Sequence, residues 1–226
     1  MQGAPNTGRL AGALYFLSAV AAGIPLIYVP GTLIISGDAA ATSHTVQLHE
    51  AAFRACMAGE LLGALLLVAT VRTLHGLLHT AHERLAWLMV TFVLLSVPIT
   101  FANIIPELAA LQLFHGATTV SAIAPSERNA LAMLCLDLHA EGASVANIFW
   151  GLWLAPFGLL IVKSRALPRL LGVWLIADAG ALVAVSLTNL FIPSWIDTVS
   201  EIAIPGELAE LAAMAWLLVT GAKTKS

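Results

Sequence analysis

Residues 127–162 read ERNALAMLCLDLHAEGASVANIFWGLWLAPFGLLIV. About 20 helical residues cross the roughly 30 Å of hydrocarbon in a bilayer, and this stretch exceeds that. After Glu127 and Arg128 its only acidic or basic side chains are Asp137, His139 and Glu141, crowded into one short segment. Such a run, apolar on every side, belongs inside a membrane rather than on the surface of a soluble domain. The composition agrees. Of 226 residues, 59% are hydrophobic and 10% charged, against about 25% charged in a soluble domain. Too few polar groups exist to cover a water-facing surface. The net charge of −3 offers nothing to attract nucleic acid, and no such partner is expected.

The same reasoning finds six spans, predicted at 9–28, 51–73, 84–105, 127–162, 169–191 and 203–221. The fold class is therefore all-α, a polytopic bundle of six transmembrane helices forming one domain, 1–226. Only helices are expected, because lipid offers the backbone no hydrogen-bond partner. The apolar run Leu10–Tyr28 after Arg9 exceeds the roughly 7–15 residues of a signal-peptide core, and is read as an uncleaved first span. Pro30-Gly31, Pro125-Ser126 and Pro168 mark boundaries, with Ser126 as expected N-cap. SWIDTVSEI (194–202) is expected to be a separate interfacial helix, with Pro205 in the first turn of the last span. The loop 29–50 carries Asp38, His44, His49 and Glu50 but no Lys or Arg.

Basic residues give the orientation. Arg9, Arg72, Arg84, Lys163, Arg165, Arg169, Lys223 and Lys225 fall on one side of the six spans, and Arg54 and Arg128 on the other. The positive-inside rule then places both termini in the cytoplasm.

Depth and face follow from helix geometry, about 1.5 Å and 100° per residue. Counted back from Val162, Asp137, His139 and Glu141 are expected near the outer interface. Asp137 and Glu141 share a face with Ser144 and Ile148. His139 points the other way, with Gly142, Ala143, Ala146 and Trp150, small residues that let membrane helices approach closely. His139 is therefore the residue expected to face the bundle. Glu60, Glu207, Glu210 and Asp178 lie deeper, where a charge costs roughly 2.5–3.5 kcal/mol or more. Arg54, Glu60, Asn103, Glu107, His139, Asn189, Glu207 and Glu210 all fall in the outer half or at its edge. If they converge they line one pocket open to the extracytoplasmic side. The named pocket candidates are Arg54, Glu60, Asn103, Asp137, His139, Glu207 and Glu210.

Metal binding is the alternative chemistry. His139 with His44 or His49, plus Glu60 or Glu207, offers enough donors for zinc, and His49 and His139 are the weak metal candidates. His75, His79 and His82 follow i, i+4, i+7 spacing at the cytoplasmic edge and read as a solvated face. Cys56 and Cys135 lie apart in apolar runs and read as small buried residues.

RLAGALYFL, ISGDAAATS, HEAAFRACMAGELLG, LCLDLHAEG, SRALPRLLGVWLIADAG and GELAELAAMAWLLVTGAK resemble, in that order, the domain-of-unknown-function 4386 family of bacterial membrane proteins. That resemblance implies a multi-pass protein of the inner membrane and supplies no reaction. It draws attention to Asp38, Arg54, Asp137 and His139. Family members often carry an aromatic at the position of Glu141, which makes Glu141 a weaker candidate than His139.

Three functions fit the sequence. The first is a polar outer-leaflet pocket binding or moving a small or lipid-like molecule. Six spans without an inverted repeat make a small transporter, so that reading points to a homo-oligomer. The second is an intramembrane hydrolase, metal-dependent in its sharper form. The third is a structural or accessory subunit. The lipid bilayer is the one partner all three share, and no cofactor is named by any motif.

Overall fold

The computed structural model describes residues 4–222, and within them the chain is all-helical. Seven α-helices follow one another: α1 (Ala4–Tyr28), α2 (Ala39–Leu48), α3 (Glu50–Leu78), α4 (Glu83–His115), α5 (Pro125–Ser164), α6 (Arg169–Phe191) and α7 (Ile196–Thr220). All except α2 are long and apolar enough to cross a membrane. Lys223 and Lys225, used above for orientation, lie outside the described residues.

The six long helices close a ring in chain order. α1 packs on α3, α3 on α4, α4 on α5, α5 on α6, α6 on α7 and α7 back on α1. Small residues make these approaches possible, because helices in lipid associate by close packing rather than by burying apolar surface from water. A Cβ on Gly59 would lie 2.7 Å from the Ala21 carbonyl oxygen, so α1 and α3 touch nearly backbone to backbone. Gly158 and Gly172 do the same for α5 and α6. The outward faces are oily: Leu62, Leu65, Leu94, Leu95, Leu134 and Leu138 are all exposed. A patch of that kind would be a liability in water and is what acyl chains require.

The core divides into two apolar clusters with a polar layer between them. At the end holding both termini, Val71, Leu74, Met89, Val93, Trp153 and Phe157 pack together. At the other end, called here the α2 end, Leu33, Val46, Phe53, Met57, Leu111 and Leu136 do so. On α3 the gap between the clusters holds Glu60, on α4 Ser96, Thr100 and Asn103, and on α5 His139. One part of the chain's buried polar side chains therefore collects between the two clusters, away from the helix ends; Asp178 of α6 is buried elsewhere, beside Leu175 and Ala179 of the first cluster.

Several boundaries differ from those expected, each for a local reason. α4 continues ten residues past Ile105 because Pro106 is accommodated inside it, as Pro98 is. It stops only at Gly116, whose φ of 62° is the left-handed conformation glycine adopts readily. α5 begins at Pro125 with Ala124, not Ser126, at the N-cap. Proline suits the first helical position, where its missing N–H costs nothing. SWIDTVSEI is no separate helix: apart from a short 3₁₀ turn at Pro193–Trp195 it forms the start of α7, and Pro205 lies well inside that helix. The loop 29–50 is itself mostly helical. Asp38 caps α2 by accepting from the Ala41 N–H at 2.8 Å, and Gln47 donates to the Phe114 carbonyl at 2.8 Å, tying α2 across the end of α4.

Candidate functional site

α3, α4 and α5 are neighbours in the ring, and each sends one ionisable side chain into the polar layer. Glu60 and Glu107 are buried and His139 is mostly so. His139 Nε2 lies 3.6 Å from Glu60 Oε1, and its Nδ1 lies 3.7 Å from Glu107 Oε2. One donor atom from each of the three falls within 4.8 Å of the others. No Lys or Arg pairs with either acid among the described residues. Two carboxyl groups and an imidazole therefore share a low-dielectric space with no fixed cation, where charge is costly unless it is paired.

The imidazole is held in one orientation. Its Nδ1 lies 2.9 Å from the backbone carbonyl of Asn103. A carbonyl can only accept, so in the neutral ring Nδ1 carries the proton and Nε2 presents its lone pair toward Glu60. Asn103 completes the clamp by donating Nδ2 to the His139 carbonyl at 2.9 Å. Gly142, one turn beyond His139, makes room for this: a Cβ there would overlap Asn103 Oδ1. Glu107 Oε2, by contrast, is buried with no hydrogen-bond partner. Orphaned polar atoms of that kind are rare in folded proteins and mark strain, function or a missing ligand.

Beside the cluster is a cavity of about 50 Å³ between α1, α3, α4 and α5. On the same measure one water takes about 10–15 Å³, so the space suits a few waters or one small polar group. Glu60, Asn103, Thr100 and Ser18 supply its polar wall, Leu67 and Trp150 its apolar one. A groove on the outer face of the α4–α5 seam, lined by Pro98, Ile99, Ala102 and Val145, shares Asn103 and adjoins it there.

Of the sequence candidates, Glu60, Asn103 and His139 come together. His139 sits with Gly142, Ala143, Ala146 and Trp150 toward the bundle, as its helical face requires. Its depth is a separate matter. α5 runs 40 residues, about 60 Å, so it overshoots a bilayer and a count from one end does not fix depth. Asp137 is exposed on the far side of the helix, and Glu141 is exposed and accepts from Asn189 Nδ2 at 3.0 Å. Arg54 is also outside the cluster. It pairs one turn back with Glu50 at 2.7 Å, and His115 approaches the same carboxylate at 3.0 Å. His44 and His49 are exposed on and just after α2, so the metal candidate His49 joins no donor set. Of the other three histidines, His75 and His79 keep the i, i+4 stripe and stack at 5.5 Å, with His75 also packed on Trp87, but α3 ends at Leu78 and His82 leaves the stripe to cap α4.

The acids of α7 do not join those of α3. Glu210 accepts a hydrogen bond from the Tyr15 hydroxyl of α1, and Glu207 is exposed. Asp178 of α6 is fully buried against Gly206 of α7, with neither carboxylate oxygen partnered. One expected chamber is thus two groups, one between α3, α4 and α5 and one between α1, α6 and α7. Glu107 is counted among the polar residues of the outer half but not among the named pocket candidates, because the predicted span ends at 105. Its signal is the stripe Ser96, Thr100, Asn103, Glu107, spaced 4, 3 and 4 along one face of an apolar helix.

Among known proteins, no curated protein and no solved structure matches this chain. A family model does, over residues 10–221, and with nearly the whole length matched the chain belongs to the family described as Domain of unknown function (DUF4386).

Proposed function

We propose that this protein binds a small or lipid-like molecule within the membrane, its polar group seated against Glu60 and Asn103, beside His139. One observation carries the reading: Ser18, Glu60, Thr100 and Asn103, polar side chains of α1, α3 and α4, line a cavity inside an otherwise apolar bundle. A structural subunit has no use for that arrangement, since leaving polar groups next to a void costs stability that packing would recover. The cavity admits only a small group, so a larger ligand would lay its apolar part along the groove beside Asn103.

The lysine and arginine asymmetry supports an orientation with both termini in the cytoplasm and the α2 end outside, in a bacterial inner membrane. The polar layer then lies in the outer half, about 15 Å below the first residue of α3. The whole ring acts as one domain.

The test is to fill the cavity. Ala143 lines it, and Ala143→Leu inserts three carbons without touching an ionisable group. Lipid and small-molecule analysis of purified protein should find a molecule retained by the wild type and lost in the variant. Equal retention by both, or none by either, would argue for a purely structural role.

A further inference from the structure

We propose that Glu60, Glu107 and His139 bind a divalent first-row transition-metal ion, which holds the polar group of the cavity's ligand. The inference rests on the pocket reading above for the ligand, but not for the metal.

Three observations support it independently of one another. The first is donor geometry. Donors about 3.6 Å apart around a triangle leave a centre about 2.1 Å from each, which is the usual distance from zinc to nitrogen or oxygen. The His139–Glu60 separation of 3.6 Å already meets this, and one donor atom from each of the three residues lies within 4.8 Å of the others. The second is the orphan. Glu107 is 1% exposed and its Oε2 has no hydrogen-bond partner, yet that oxygen lies 3.7 Å from the imidazole of His139. The third is the clamp on His139. A metal-binding histidine generally gives its second nitrogen to a carbonyl or carboxylate, which fixes the tautomer and the ring plane. The Asn103 carbonyl at 2.9 Å from Nδ1 does that here and turns Nε2 toward Glu60.

Donor type narrows the ion. One imidazole and two carboxylates, with no thiolate, suit Zn²⁺, Fe²⁺ or Mn²⁺ and disfavour Cu⁺. The ion also settles the charge problem, since two acids and a neutral imidazole balance a dication. Three protein ligands leave a position open, and the adjoining cavity is where it would be filled by water or by the ligand's polar group. A metal-bound water there is the starting point for hydrolysis.

The experiment is elemental analysis of protein purified without a polyhistidine tag, followed by removal of metal and titration with Zn²⁺, Fe²⁺ and Mn²⁺ in turn. Glu107→Gln keeps the side-chain shape, and His75→Gln/His79→Gln controls for adventitious binding. About one ion per chain is expected in the wild type and the control, with loss in Glu107→Gln and His139→Asn. Gly142→Ala, which keeps all three ligands but displaces Asn103, should weaken binding about 10–100-fold. A metal-free wild type that none of the three ions stabilises overturns the proposal, and so does undiminished metal in Glu107→Gln. Either result leaves the Ala143→Leu test of the pocket standing.

Discussion

Replacing Glu107 by Gln should change stability in opposite directions with and without metal. In the metal-free protein a carboxyl group that is 1% exposed, with one oxygen unpartnered, faces a second acid. Leaving a buried polar group unsatisfied costs about 1–3 kcal/mol, more for a charged one. The amide has the same shape and no charge beside the second acid but is still polar, so Glu107→Gln should stabilise the apo protein by only part of that amount. For a chain of this length, about 2–4 °C of melting temperature follows each kcal/mol. With metal at 100 times its Kd, the wild type gains about 2.7 kcal/mol by mass action, and the variant gains little. Thermal unfolding followed by circular dichroism, in chelator and then in saturating metal, should therefore show the variant melting higher in the first condition and lower in the second. A variant that melts lower in chelator, or that metal stabilises as much as the wild type, would refute the reasoning.

Asp178→Asn and Glu210→Gln should leave metal content unchanged, since both residues belong to the group between α1, α6 and α7; loss of metal in either, by elemental analysis, would show that the two groups work as one. Glu50→Gln breaks the surface pairs with Arg54 and His115 and should leave the unfolding midpoint within experimental error, because exposed ion pairs contribute little. Reporter fusions should fluoresce as cytoplasmic proteins at both termini, while a single cysteine placed at Ser121, between α4 and α5, should react with an impermeant thiol reagent in intact cells.

Which parts of this molecule can be read from sequence depends on the range of the interactions that set them. A span is local: twenty apolar residues must form a helix in lipid, and the six were legible from composition and run length. Helix ends are less so. Pro106 and Pro205 look like terminators, yet each lies inside a helix, because neighbouring helices and local adjustment satisfy the freed carbonyls. The facing of His139 was legible because it needs only the helical repeat and the small residues beside it. The partners of Glu60 were not. They depend on which helices are neighbours, and that is set by close approaches such as Gly63 of α3 against Ala22 of α1. Those approaches close the ring so that α3 meets α4 and α1 meets α7, which sends Glu60 to His139 and Glu210 to Tyr15.

The most direct test of the metal assignment is X-ray absorption at the metal edge of loaded, tag-free protein. The account predicts a first shell of nitrogen and oxygen near 2.0–2.2 Å for zinc, with the outer-shell scattering of a single imidazole and no sulfur. That imidazole signal should vanish in His139→Asn. A shell containing two or more imidazoles, or sulfur from Cys56, or a spectrum unchanged in His139→Asn, would place the ion elsewhere and contradict it.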